Sequence, residues 1–375
     1  MQSEFYNDKE NGEDFSQAYS DYIAAREDGS LGSLSLKEEE FEYILDVLIE
    51  EGEQLAVLEL SEIAFGKYPY SCTLLARFCD TLILCGQAVK ALEILDEYSG
   101  SFAANSVIYF LYGRANISKG KFRHAREYFY KALELQENNG EAVESTCALA
   151  QDCIEAANYK EAIYYMNKAS KIEQLPYEYY NDYAFCYDRL DMPQEAVESY
   201  NMYLDKNPFN DTVWFNMGTV QARLKEFDKA IEAFEYSIAL NGENASSLYN
   251  LAVVYMNLQR YAEAAEVFGQ FVKIDNDELG KLGLAECCIR LNRLADAMEQ
   301  LSQISLTDEK CNEAKAGIAV VGAIENFNRG DTEGFKEQFL EVCNTSTAWI
   351  GVIYDMLPEL QNLQWFLEFL NNIKK

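Results

Sequence analysis

The 375-residue chain carries 63 acidic and 31 basic residues, a formal net charge of −32 at pH 7. That field repels phosphate backbones and anionic lipid surfaces, which argues against nucleic-acid and membrane partners; it suits a basic partner, or simply the solubility of a large surface. The length exceeds one ordinary core, so several domains or an extended array are expected, and 49% hydrophobic with 13% aromatic residues suffice to fold most of it.

The opening stretch, MQSEFYNDKENGEDF, has no basic region followed by an apolar core, and no run of eighteen apolar residues occurs anywhere, so a soluble, cytoplasmic protein is expected. Residues 1–37 read as an acidic, flexible N-terminal arm with one short helix near FSQAYSDYIAA; folding back into the chain's own groove is the alternative. From residue 72 a pattern sets in. A small residue is followed twelve positions later by alanine and four beyond that by a large apolar residue: Cys79, Ala91, Leu95; then Gly113, Ala125, Phe129; Ala150, Ala162, Met166; Ala184, Ala196, Tyr200; Gly218, Ala230, Phe234; Ala252, Ala264, Phe268; and Ala285, Ala297, Leu301.

Such a period predicts helical hairpins, because two antiparallel helices approach closely only where both present small side chains. An interior helical glycine such as Gly218 costs roughly 0.8–1 kcal/mol against alanine, so close packing near Ala230 is expected to compensate. Turns fall at LKEFD (224–228) and at LDMPQ (190–194), where Pro193 suits a first helical turn. A single hairpin cannot bury its apolar face, so the units stack.

The units run 38–71, 72–105, 106–139, 143–176, 177–210, 211–244, 245–277 and 278–311. The first is weaker, with Leu45 and Val57 at the small positions. Residues 312–346 read as a degenerate terminal helix pair with Phe335 in the alanine slot. In residues 347–375, Leu363, Phe366, Leu367, Leu370 and Ile373 form one helical stripe, suited to capping helices or else to a dimer contact.

These residues resemble the tetratricopeptide repeat family, whose pattern is W-x2-L-G-x2-Y, then A-x3-F, then a late proline. Trp214, Met217, Gly218, Ala230 and Phe234 carry it in one unit. Leu248, Leu251, Ala252, Tyr255, Ala264 and Phe268 carry it in the next, and Tyr180, Tyr183, Ala184, Tyr187, Ala196, Tyr200 and Pro208 in the one before. The resemblance implies an all-α, right-handed superhelical solenoid of stacked antiparallel helix pairs with a C-terminal capping helix, whose groove is lined by the first helix of each pair.

Counting groove slots places Phe110, Arg114, Asn181, Phe185, Asp188, Phe215 and Tyr249 on that face, with Asp182, Asn216 and Asn250 one repeat apart at its margin. The resemblance implies that asparagines so spaced hold the main chain of an extended peptide, an amide offering both donor and acceptor. The competing reading has Asn216 and Asn250 bonding adjacent helix ends and the aromatics buried between repeats. The lysine-and-asparagine clamp for C-terminal carboxylates is not evident, since Arg77, Arg114, Arg189 and Arg223 do not reproduce its spacing.

Enzyme chemistry finds little support. His124 is the single histidine, so any histidine-based triad would rest on it, and a surface role is expected instead. The ten cysteines never form the two-residue-spaced pairs of metal or redox motifs, and GKLGLAE (280–286) lacks the glycine spacing of a phosphate loop. Neither cofactor nor metal nor catalysis is expected. The sequence reads as a protein-interaction scaffold or adaptor that binds another protein or extended peptide. A regulator whose superhelix changes shape on binding is the alternative, and an undetected enzyme or enzyme subunit a remote one.

Overall fold

The computed structural model describes residues 15–102, 105–136, 138–304 and 310–373, with the side chains of 310 and 311 outside the description. The first fourteen residues of the expected acidic arm, and the side chain of Cys311, thus lie outside the description. All regular elements among the described residues are helices, packed as neighbouring pairs into a solenoid. None of these helices is long and apolar enough to cross a membrane.

The chain divides into two compact units at Tyr179/Tyr180. The first opens with α1 (Ser16–Asp28). Four pairs follow: α2 (Glu38–Glu50) with α3 (Gln54–Lys67), α4 (Cys72–Leu84) with α5 (Ala88–Tyr98), α6 (Ser106–Ser118) with α7 (Phe122–Leu135), and α8 (Asn139–Glu155) with α9 (Tyr159–Ile172). The second unit holds α10 (Tyr179–Arg189) with α11 (Pro193–Leu204), α12 (Asp211–Arg223) with α13 (Phe227–Leu240), α14 (Ala245–Asn257) with α15 (Tyr261–Ile274), α16 (Glu278–Arg290) with α17 (Leu294–Ser302), and α18 (Lys310–Arg329) with α19 (Thr332–Thr345). A 3-10 turn (Thr347–Trp349) then leads into α20 (Ile350–Met356), and α21 (Gln364–Ile373) ends the described chain.

Each pair is closed by the same backbone device. One residue after the first helix adopts a left-handed conformation: Gly52, Gly86, Gly120 and Ala157 in the first unit, Asp191, Lys225, Gln259, Asn292 and Gly330 in the second. The next amide then reaches back to a carbonyl five residues earlier, as Glu226 N does to Gln221 O at 2.9 Å, satisfying an otherwise orphaned helix-end carbonyl. At the other end, first helices start on side-chain caps: Ser71, Asn105, Asn138, Asn210, Asn244 and Asp277 each accept a hydrogen bond from a first-turn amide. Pro193 opens α11, where its missing amide hydrogen is no loss.

The core follows the small-and-large pattern. Ala91, Ala125, Ala162, Ala196, Ala230, Ala264 and Ala297 are all fully buried, and Leu95, Phe129, Met166, Tyr200, Phe234, Phe268 and Leu301 fill the space beside them. Burying such a large side chain contributes roughly 1.5–3 kcal/mol. The reason for Gly218 differs in detail from the expectation: a Cβ there would stand 2.9 Å from the Phe234 ring rather than against Ala230. Gly283 is used likewise by the Phe268 ring, at 2.5 Å.

Within the segment expected as an arm, residues 15–37 are packed. Tyr22 is buried, Arg26 pairs with Glu53 at 2.7 Å, and the stretch after Gly29 buries Leu31, Leu34 and Leu36 while Tyr68 Oη donates to the Leu36 carbonyl. Six of the described cysteines are buried, and burial pushes the thiols of Cys79, Cys186 and Cys287 up to about 12, so these act as small hydrophobes.

Candidate functional site

First helices pack on one another within the units, α4 on α6 and α6 on α8 in the first, α12 on α14, α14 on α16 and α16 on α18 in the second. In the first unit α4, α6 and α8 line a cavity of about 260 Å³ that includes Phe110 and Arg114, both named from slot counting. Phe110 is a wall of it rather than a free aromatic, being only 4% exposed. Arg114 is already engaged: its Nε and Nη2 donate to the two oxygens of Asp152 at 2.8 and 2.9 Å, and its Nη1 to Asp80. Burial pushes the Asp80 carboxyl up against the opposing pull of Arg114, while the two carboxylates, outweighing burial, keep Arg114 protonated. The charged groups of this face are therefore largely spent on each other, and Arg77 adds a further pair with Asp46 at 2.7 Å.

The second unit is arranged differently. Asn181, Asp182, Phe185 and Asp188 on α10, Phe215 and Asn216 on α12, and Tyr249 and Asn250 on α14 are all partly exposed. Asp188 is paired with Arg223, tying α10 to α12, and the Arg189 guanidinium lies 5.1 Å from the Phe185 ring centre. Phe215 leans on Phe234, and Tyr249 on Phe268 and Phe271, each keeping part of its ring outside the core.

Asp182, Asn216 and Asn250 recur one pair apart. Asn250 Nδ2 donates to the Ser246 carbonyl of its own helix at 3.0 Å, and the side chains of Asn181, Asp182 and Asn216 make no hydrogen bond or ion pair among the described residues. The helix-end role that the competing reading assigned to Asn216 and Asn250 is filled by Asn210 and Asn244. Burial raises the Asp182 carboxyl above its ordinary value, with no cation among the described residues to offset the cost.

A feature missed in the sequence lies further along this row. α14, α16 and α18, together with residues 348–352, enclose a cavity of about 390 Å³ reached by Tyr249, Leu279, Leu282, Glu286, Glu313 and Trp349. Slot counting carried one unit further would have named Leu279, Leu282 and Glu286, which sit where Ser246, Tyr249 and Val253 sit in the unit before. Trp349 and Val352 belong to no repeat. Trp349 is held by its Nε1 donating to Glu313 at 2.7 Å, and Asp355 pairs with Arg290 at 2.6 Å, so the turn at Thr347–Trp349 and α20 lie over α16 and α18 and wall off the end of the row. His124 is exposed in the first turn of α7, remote in sequence from all these residues.

Two segments, residues 107–139 and 215–278, match family models described as tetratricopeptide repeat. No curated protein matches the sequence. Among solved structures the chain is similar to a MamA fragment from Desulfovibrio magneticus (17% identity, 46% of this chain and 96% of that one, TM-score 0.40). It is similar also to a tetratricopeptide repeat protein from Parabacteroides merdae (15%, 67% and 97%, TM-score 0.42) and to the Pseudomonas aeruginosa PilF protein (16%, 60% and 99%, TM-score 0.41).

Proposed function

Because the chain is a tetratricopeptide-repeat protein, we propose that it serves as a protein-interaction scaffold and holds an extended partner segment along the first-helix face of its second unit. The observation that carries this reading is the recurrence of Asp182, Asn216 and Asn250 at one position in three successive pairs, the first two with no side-chain hydrogen bond among the described residues and Asn250 with its Oδ1 still open after Nδ2 donates to Ser246. The Asn216 amide can donate to and accept from a peptide group, and polar side chains flanking it one pair away on either side suit an extended main chain. Phe185, Phe215 and Tyr249, partly exposed beside them, supply apolar contact for alternate side chains. The first unit contrasts, since Arg114 is there saturated by Asp80 and Asp152.

The test is capture by the full chain from an extract of the cells that make it, compared with Asn216→Ala/Asn250→Ala. Tyr236→Ala, an exposed change on α13, serves as the control. The reading expects captured proteins to be lost from the asparagine variant and retained by the control. Equal capture by all three would remove it.

A further inference from the structure

The cavity at the closed end of the second unit has a shape and a charge that together specify an occupant. Its wall is apolar and adaptable: Tyr249 and Met256 from α14, Leu279 and Leu282 from α16, Trp349 and Val352 from the segment that closes the row. At about 390 Å³ it lies within the range of roughly 300–1,000 Å³ over which protein pockets hold organic groups. Leu279 is 46% exposed, so the lining opens to solvent rather than being sealed core.

The polar groups reaching the cavity are of one sign. Glu286 and Glu313 both line it. Glu313 spends one oxygen on the neutral indole of Trp349 and has no ion pair among the described side chains. Glu286 accepts from Arg290 Nε at 3.0 Å, but the same guanidinium also serves Asp355, so two carboxylates share one cation. A cationic group at the opening would be attracted and an anionic one repelled, in the same sense as the chain's net charge of −32. Tyr249 belongs both to this wall and to the row that carries Asn216 and Asn250, so a main chain laid along that row arrives at the cavity.

We propose that this cavity is a specificity pocket which takes one bulky apolar side chain of the partner segment, adjacent in that segment to a lysine or arginine that meets Glu286 and Glu313. The proposal rests on the reading of the second unit as a peptide-binding face, and it adds the chemistry of the occupant.

The experiment is selection of displayed random nonapeptides on the full chain, followed by titration of a fluorescent copy of the strongest binder. An apolar residue next to lysine or arginine is expected to recur among the selected peptides. Affinity is expected to fall about tenfold or more in Leu279→Trp, which fills the mouth, and severalfold in Glu313→Gln at low salt, which removes charge while keeping an acceptor for Trp349. Selected peptides rich in acidic residues, or basic ones whose affinity neither variant changes, would overturn the pocket. If affinity then still falls in Asn216→Ala/Asn250→Ala, the pocket fails while the face stands; if no peptide is selected, or none of these variants matters, both fail.

Discussion

The ring of Phe234 occupies the space that a side chain at Gly218 would need, its nearest atoms 2.9 Å from where a Cβ would sit. A glycine in mid-helix is thus retained for packing rather than for backbone freedom. Gly218→Leu is expected to destabilise by about 1–3 kcal/mol through overpacking. Gly269, in the interior of α15 with nothing within 4 Å of its Cβ position, is the converse: Gly269→Ala is expected to stabilise by about 0.5–1 kcal/mol. Urea denaturation of the two variants checks both signs, and a Gly218→Leu midpoint equal to the parent's would refute the contact.

The left-handed turn residues give a second comparison. Lys225 and Gln259, both exposed, hold φ of 61° and 59°, close to the 69° of Gly120. A residue with a Cβ pays roughly 1–2 kcal/mol there, partly offset when glycine replaces it because the unfolded chain gains freedom. Lys225→Gly and Gln259→Gly are therefore expected to raise stability by a few tenths to about 1 kcal/mol, and Gly120→Ala to lower it by about 1 kcal/mol. Melting temperatures of the three, measured side by side, decide the matter.

Asp182 gives a pH-dependent expectation. Its folded pKa is raised by burial, so this group contributes stability while protonated and loses that contribution as pH rises through the folded value. Asp182→Asn should accordingly unfold at higher urea than the parent at pH 7, with the difference shrinking as pH falls through the ordinary carboxylate range near about 4. Identical midpoints at pH 7 would mean that the carboxylate is well solvated and carries no cost.

At the C-terminal end, Phe366 is fully buried against Phe335 and Phe339, with ring centres 5.8 and 5.3 Å away, whereas its neighbour Leu367 is 45% exposed. Phe366→Ala is expected to cost about 3–5 kcal/mol and Leu367→Ala within about 0.5 kcal/mol of nothing. Equal losses would place both residues on a covered face, as a dimer contact along the stripe would require, and sedimentation would then report the dimer.

The paired-helix architecture is legible in the sequence because its cause is local: alanines such as Ala125 and Ala230 recur where any larger side chain would hold the helices apart, and all of them are fully buried. The turns are half legible. Gly52, Gly86 and Gly120 advertise a left-handed residue, but Ala157, Lys225 and Gln259 adopt it with nothing in their chemistry to announce it, because the surrounding hydrogen bonds impose the turn. Slot counting names Arg114 but cannot foresee its saturation, which depends on Asp80 on one neighbouring helix and Asp152 on the other. It likewise stops short of the cavity beyond Tyr249, because Trp349 and Val352 come from a segment with no place in the repeat.

The Arg114 bridge also has a mechanical consequence. One guanidinium, rooted in α6, grips a carboxylate on α4 and another on α8, so neither neighbour can slide along its axis without breaking a charge-assisted bond. Greasy contacts such as Phe215 on Phe234 tolerate small slippage, since dispersion has no preferred direction. Under a stretching load, the three helices joined by Arg114 behave as a riveted plate and resist shear, while flexing is left to regions of the array held by apolar packing alone.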